Sequence, residues 1–237
     1  MPRLIGSTAG CLLAAALLAP AAASPGSALE AGRTLFHKGE FDRARDRLRD
    51  LREAHPERAE AAYYLGRIAL RRHELEKAVS LLREATSLEA DRARYHYWLG
   101  RANAQRAKHA SVFKRAEHAR RAKAELLEAL DREPGHIHAR VALVMFYLRA
   151  PEFLGGSRDR SRQHIRELSR RSRLAALRAR GALMRQQERY DRALDLYRRA
   201  VAEAPDRDRP YPWLAGLPRP PESNDRAPST HRQRTSP

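Results

Sequence analysis

Small and bulky apolar residues follow one another along the chain in a recurring order. Ala44 and Leu48, then Ala78, Leu82 and Ala85, then Ala122, Leu126 and Ala129, and finally Ala193, Tyr197 and Ala200 stand three or four residues apart. That interval lines one face of a helix. Each run follows another helical segment that carries a glycine, at Gly32, Gly66, Gly100 and Gly181. A glycine lets two helices approach closely, while Leu or Tyr fills the space between pairs. Gly39 reads as a turn glycine. Pro56, Pro134 and Pro205 each come after a helical run, where proline stops a helix. The pattern predicts an all-α chain built from helix–turn–helix pairs.

The pairs repeat at a fixed interval. The dipeptides Gly32-Arg33, Gly66-Arg67 and Gly100-Arg101 are evenly spaced along the chain, and two of them are preceded by leucine, at Leu65 and Leu99. A period of this size marks an array in which each pair buries its apolar face only against its neighbours. The frames run about 25–58, 59–92, 93–136, 137–173 and 174–207, or about five helical pairs. These small, Gly/Ala and aromatic positions resemble the tetratricopeptide repeat (TPR), and residues 187–205 carry the best-preserved stretch, Gln-Glu-Arg-Tyr-Asp-Arg-Ala-Leu-Asp-Leu-Tyr-Arg-Arg-Ala-Val-Ala-Glu-Ala-Pro. The resemblance implies a solenoid coiled as a right-handed superhelix, with the first helices of the pairs lining its concave face.

Two frames depart from the family pattern. The third is about ten residues longer than a standard unit, in the stretch Arg106 to Glu117. This insertion has no Pro or Gly, so lengthened helices flanking a displaced turn are expected. The fourth opens on the apolar run Val141–Leu148 and turns through Ala150-Pro-Glu-Phe-Leu-Gly-Gly-Ser157 into a basic helix. Pro151 cannot continue the helix before it, Gly155 and Gly156 tolerate left-handed conformations, and Ser157 is placed to cap the next helix. This Pro-x-x-Leu-Gly-Gly-Ser turn resembles one found in some bacterial envelope TPR proteins; it also reads simply as a long inter-helix turn.

The two ends differ from the array. Arg3, the apolar run within residues 4–23 and the small residues Ala21 to Ala23 form the pattern of a cleaved secretory signal peptide, here assigned to residues 1–23. An uncleaved membrane anchor is the less favoured reading. Cys11 is the only cysteine, and cleavage removes it, leaving a chain without disulfides and pointing to a periplasmic or secreted location. From residue 208 to 237 prolines crowd among polar residues, a composition that cannot bury a core and is expected to be disordered. No polar-faced capping helix is legible after the last pair. Tyr211, Trp213 and Leu214 are therefore expected to plug that end, or else to leave a face for self-association.

Charge changes the picture next. The chain has 47 basic and 29 acidic residues for a formal charge of +18, of which the signal segment removes only Arg3. All but five of the cations are arginine, as a GC-rich coding sequence would favour, but codon bias does not explain the positive excess. In the TPR arrangement the residue after the repeat glycine faces the groove, so Arg33, Arg67 and Arg101 should form a ladder. Tyr63, Tyr97, Arg71 and Arg94 are the other candidate binding residues, with Phe36 and His37 nearby. Guanidinium groups beside tyrosines suit carboxylates, phosphates and extended peptides. A solvated helix face would look the same in sequence. The carboxylate-clamp TPR type has Asn after the glycine, so the resemblance does not extend to recognition of chaperone tails.

Catalytic patterns are missing: the ten histidines show no metal-ligand spacing, and there is no phosphate-cradling glycine loop or nucleophile elbow. No enzyme, no metal and no cofactor are expected. The leading expectation is a periplasmic adaptor that binds a protein or an acidic peptide in an Arg-lined groove. The alternative is electrostatic binding to anionic envelope polymers or lipid headgroups. Nucleic acid, which a pI near 11 would suggest, is disfavoured by the export signal.

Overall fold

The computed structural model describes residues 24–203, which form ten α-helices with no strand among them. They come as five pairs: α1 (Pro25–Lys38) with α2 (Phe41–Ala54), α3 (Ala59–Arg71) with α4 (Leu75–Leu88), and α5 (Ala93–His109) with α6 (Val112–Arg132). α7 (Ile137–Arg149) with α8 (Arg158–Arg171) and α9 (Arg173–Gln186) with α10 (Tyr190–Ala202) complete the array. The segment read as a signal peptide, and Pro205, Tyr211, Trp213 and Leu214 at the other end, lie outside the described residues.

Local chemistry sets several helix ends. Ser24 caps α1 by accepting from the Ser27 N–H, with Pro25 in the first turn, and Gly39 ends it in the left-handed region at φ 83°. Ser157 and Ser172 cap α8 and α9 in the same way, accepting from the N–H groups of Arg160 and Ala175. His73 and Glu188 occupy the left-handed turn position that Gly39 fills in the first pair, at φ 62° and 60°.

In every pair but the fourth, the glycine of the first helix meets a bulky residue of the second. A Cβ on Gly32 would lie 2.6 Å from Leu48, one on Gly66 2.7 Å from Leu82, and one on Gly100 3.0 Å from Leu126. A Cβ on Gly181 would run into the Tyr197 ring. Glycine and partner are separated by the same length of chain in the first, second and last pairs. In the third they are farther apart in sequence, yet Gly100 and Leu126 still meet. The added residues therefore lie between the two ends of a retained contact. They lengthen α5 and α6 into a protruding hairpin whose turn sits at Ala110-Ser111, as the proline- and glycine-free insertion predicts. The fourth pair has Val144 at the glycine's place, packed with Ile165 and Leu168.

The curvature follows from which helices touch. α1 packs on α3, α3 on α5, α5 on α7 and α7 on α9, whereas the backbones of the even-numbered helices do not approach one another. The odd helices are thus the crowded inner layer of the bend, and the even helices splay outward. Across the outer layer, long side chains reach between repeats: the Arg52 guanidinium donates to both carboxylate oxygens of Glu84, at 2.8 and 3.0 Å.

The turn after α7 is compact. It contains a single 3-10 turn at Glu152–Leu154, and Gly155 takes φ 88°. Both glycines tolerate a left-handed conformation, but only Gly155 uses it, and Gly156 has no positive φ. It is required for space instead, because a Cβ there would overlap the Ala150 carbonyl.

His96 ties the third pair together. Its Nδ1 lies 2.8 Å from a Glu125 carboxylate oxygen and its Nε2 2.9 Å from the Ala90 carbonyl, so the ring faces an acceptor on both sides. The hydrogen bond to Glu125 raises its pKa above the usual imidazole value, despite desolvation.

Gly181→Ala should destabilise the fold by about 1–3 kcal/mol through overpacking against a rigid ring. Gly26→Ala, with nothing within 4 Å, should stay within about 0.5 kcal/mol of wild type. Urea denaturation checks both. The stability difference between wild type and His96→Gln should be full below about pH 6.5, the unfolded histidine value. It should shrink as pH rises through the raised folded value, because only the protonated ring satisfies both acceptors. Using the difference removes His118 and His164, whose pKa values burial lowers and which act in the opposite sense.

Candidate functional site

The inner face of the first three pairs carries an alternating stack of rings and guanidinium groups. The Arg67 guanidinium of α3 lies 4.3 Å from the Phe36 ring centroid of α1 and 4.5 Å from that of Trp98 in α5. Arg101, one helical turn beyond Trp98, lies 4.4 Å from the same indole. The order across three repeats is therefore Phe36, Arg67, Trp98, Arg101. Arginines that share a repeat position do not stack on each other, since like charges repel. They are interleaved with rings whose negative faces attract them.

Tyr63 is 4% exposed and forms part of the wall rather than the surface. Its hydroxyl accepts from Arg67 Nη1 at 3.1 Å, its ring lies 4.8 Å from that of Tyr95, and burial pushes its pKa up. It therefore positions Arg67 and keeps its proton. Tyr97 is half-buried beside Trp98, with the rings of His136 and His138 against it.

The remaining candidates divide by partner. Arg33 is paired with Glu30 at 3.2 Å, and Arg94 with Glu60 of the preceding repeat at 3.1 Å. Arg71 lies 4.4 Å from the Phe41 ring at the outer end of the first pair. Among the described residues, Arg67, Arg71 and Arg101 have no carboxylate within ion-pair distance; a buried Nε without a hydrogen-bond partner is common to Arg33, Arg67 and Arg94. A guanidinium held by rings keeps N–H groups for an anion, whereas one already paired with a carboxylate must first lose its partner. On Arg67, where Nη1 donates to Tyr63 and Nε is buried, the remaining donor is Nη2. The structure thus brings together Arg67, Arg101, Tyr63 and Tyr97, while Arg33 and Arg94 are neutralised in place.

Trp98 is the residue that sequence reasoning missed. Its signal was its position three residues before Arg101, directly ahead of Leu99-Gly100, where a helical turn brings ring and guanidinium onto one side. Among the described residues no group of three or more His, Cys, Asp or Glu side chains is placed to hold a metal, and no helix is long and apolar enough to cross a membrane.

A double-mutant cycle between Arg67 and Trp98, read by urea denaturation, should give a coupling of about 0.5–2 kcal/mol. Independent effects would mean that the ring and the cation are neighbours without holding each other.

The tetratricopeptide repeat family model matches residues 29–92 and 155–208, on either side of the lengthened hairpin. No curated protein matches the sequence. Among solved structures, a thermophilic TPR protein of Thermus thermophilus is 19% identical, with a TM-score of 0.65 over 78% of this chain and 93% of its own. YrrB, described as a TPR protein with an unusual peptide-binding site, is 16% identical with a TM-score of 0.53 over 76% and 87%. Human IFIT1, solved as a dimer with PPP-AAAA, is 16% identical with a TM-score of 0.62; the match spans 76% of this chain and 42% of that one. At these identities the likeness is one of fold. With the ten-helix architecture and the two family matches, it identifies the chain as a tetratricopeptide-repeat solenoid.

Proposed function

We propose that the protein is a binding scaffold of the bacterial periplasm that captures an acidic segment of a partner protein on the inner face of its first three helix pairs. The observation that carries this reading is the state of Arg67 and Arg101. Both are clamped on aromatic faces and neither has a carboxylate partner among the described residues. Contact with the rings restricts these side chains before a ligand arrives, which lowers the entropy lost on binding. Neighbouring rings supply apolar contact beside the charge, the combination that makes arginine and tryptophan frequent binding anchors. The export pattern in residues 1–23 supports the location, and the peptide-binding site named for YrrB is a precedent on this fold.

The net charge of +18 favours a second reading, in which the whole basic surface holds anionic envelope polymers or lipid headgroups. Ionic strength separates the two. A diffuse polymer contact weakens steeply with salt, whereas a peptide seated against Trp98 keeps most of its affinity.

Titration with an acidic peptide containing Glu and Phe, followed by tryptophan fluorescence, tests the proposal. Arg67→Glu/Arg101→Glu should weaken binding at least tenfold, since reversing a seated charge costs about 2–5 kcal/mol. Unchanged affinity in the double variant would remove the inner face from consideration. Crosslinking and mass spectrometry in the native envelope would then identify the partner.

A further inference from the structure

The two departures from the repeat meet in space and build one cavity. The lengthened α5–α6 hairpin supplies one wall, with Ala104 and Ala107 on α5 and Ala119 on α6. The α7 helix and the turn after it supply the other, through Ala142, Pro151 and Leu154. Between them lies a space of about 560 Å³, within the range of small-molecule sites. The insertion extends the first wall, to which it adds Ala107, Lys108 and Arg115, and the second is closed where the turn folds back so that Gly156 lies against the Ala150 carbonyl.

The lining sorts by depth. Ala122 and Leu126 are buried at the floor, and Met145 and Phe146 are half-buried above them. Lys108, Arg115 and Arg149 are exposed and stand towards the mouth, and the half-buried Arg101 joins them in the lining. No Asp or Glu is among the lining residues. Elsewhere in the array arginines commonly have a carboxylate nearby, as Arg52 has Glu84 and Arg132 has Glu128. Among the described residues none of these four cations forms an ion pair, and Arg115 has a 3.5 Å contact to the Ala110 carbonyl.

An apolar floor beneath four uncompensated cations is complementary to an amphiphile with a negative head. We propose that this cavity binds a single-chain anionic amphiphile, with its alkyl chain against Leu126, Met145 and Phe146 and its carboxylate or phosphate head held by Arg101 and Arg149. Small residues along both walls leave room for a chain of methylenes, and the planar guanidinium forks suit either head group. This site is separate from the peptide-binding reading except for Arg101, which stands between the aromatic stack and the cavity mouth.

The test uses the purified full chain and displaces a fluorescent probe, 11-(dansylamino)undecanoic acid, below the micellar range of each competitor. Octanoate, decanoate and dodecanoate should compete with affinity rising about fourfold per added methylene. Dodecanoate and dodecyl phosphate distinguish the two head groups, and dodecyl maltoside, with the same chain and no charge, should compete at least tenfold less well. Arg149→Glu should weaken probe binding at least tenfold, and Ala104→Trp should abolish it by filling the space, both with unchanged helical circular dichroism. Neither variant touches Arg67 or Trp98, so acidic-peptide binding should persist in both. Absence of saturable probe binding, no dependence on chain length, or equal competition by the maltoside would overturn the proposal. If a variant loses its fold, the chain-length and head-group series on the wild-type protein decides alone.

Discussion

The contact between a glycine on one helix and a bulky side chain on its partner governs the rest of this structure. With no side chain at Gly32, Gly66, Gly100 or Gly181, the paired helix can push Leu48, Leu82, Leu126 or Tyr197 into the backbone groove itself. That close approach fixes the register within each pair and, through it, which face each helix turns toward the next. The first helices then crowd together on the inside of the bend, and side chains of neighbouring repeats meet on that inner layer.

The third pair shows how strongly the contact constrains insertion. The extra residues are absorbed without disturbing the meeting of Gly100 and Leu126, because a hairpin can lengthen at its tip while its base stays packed. The added length projects beyond the array and becomes a wall. The fourth pair has Val144 in place of the glycine and a turn closed tightly at Gly155 and Gly156. Irregularity is thus concentrated in α5, α6, α7 and the turn after it, between the two stretches that match the family model, 29–92 and 155–208.

Charge is organised by what each guanidinium meets. On the outer layer, Arg52 meets Glu84 and the pair links successive repeats. On the inner layer, Arg67 meets Phe36 and Trp98, donates Nη1 to the Tyr63 hydroxyl and has no carboxylate partner among the described residues. Two arginines at equivalent repeat positions, Arg33 and Arg67, therefore differ in chemistry: the first is neutralised by Glu30 and the second is held by rings.

The all-helical solenoid was legible in the chain because it depends on short-range features: helical spacing, proline stops, the Ser157 cap and a glycine recurring at a fixed period. Each of these acts within one pair or between neighbours. The insertion could also be read as longer helices, since it contains no breaker. The groove ladder was legible only in part. Period alone placed Arg33, Arg67 and Arg101 as equals, but the partner of each depends on side chains a whole repeat away or on another helix face. Trp98 as the shared ring, Tyr63 as a buried support and Gly156 as a spatial rather than a conformational requirement all emerged from those approaches. The cavity between the third and fourth pairs is the clearest case. Its walls come from two separate deviations in the sequence, and only the packing of α5, α6 and α7 placed them face to face.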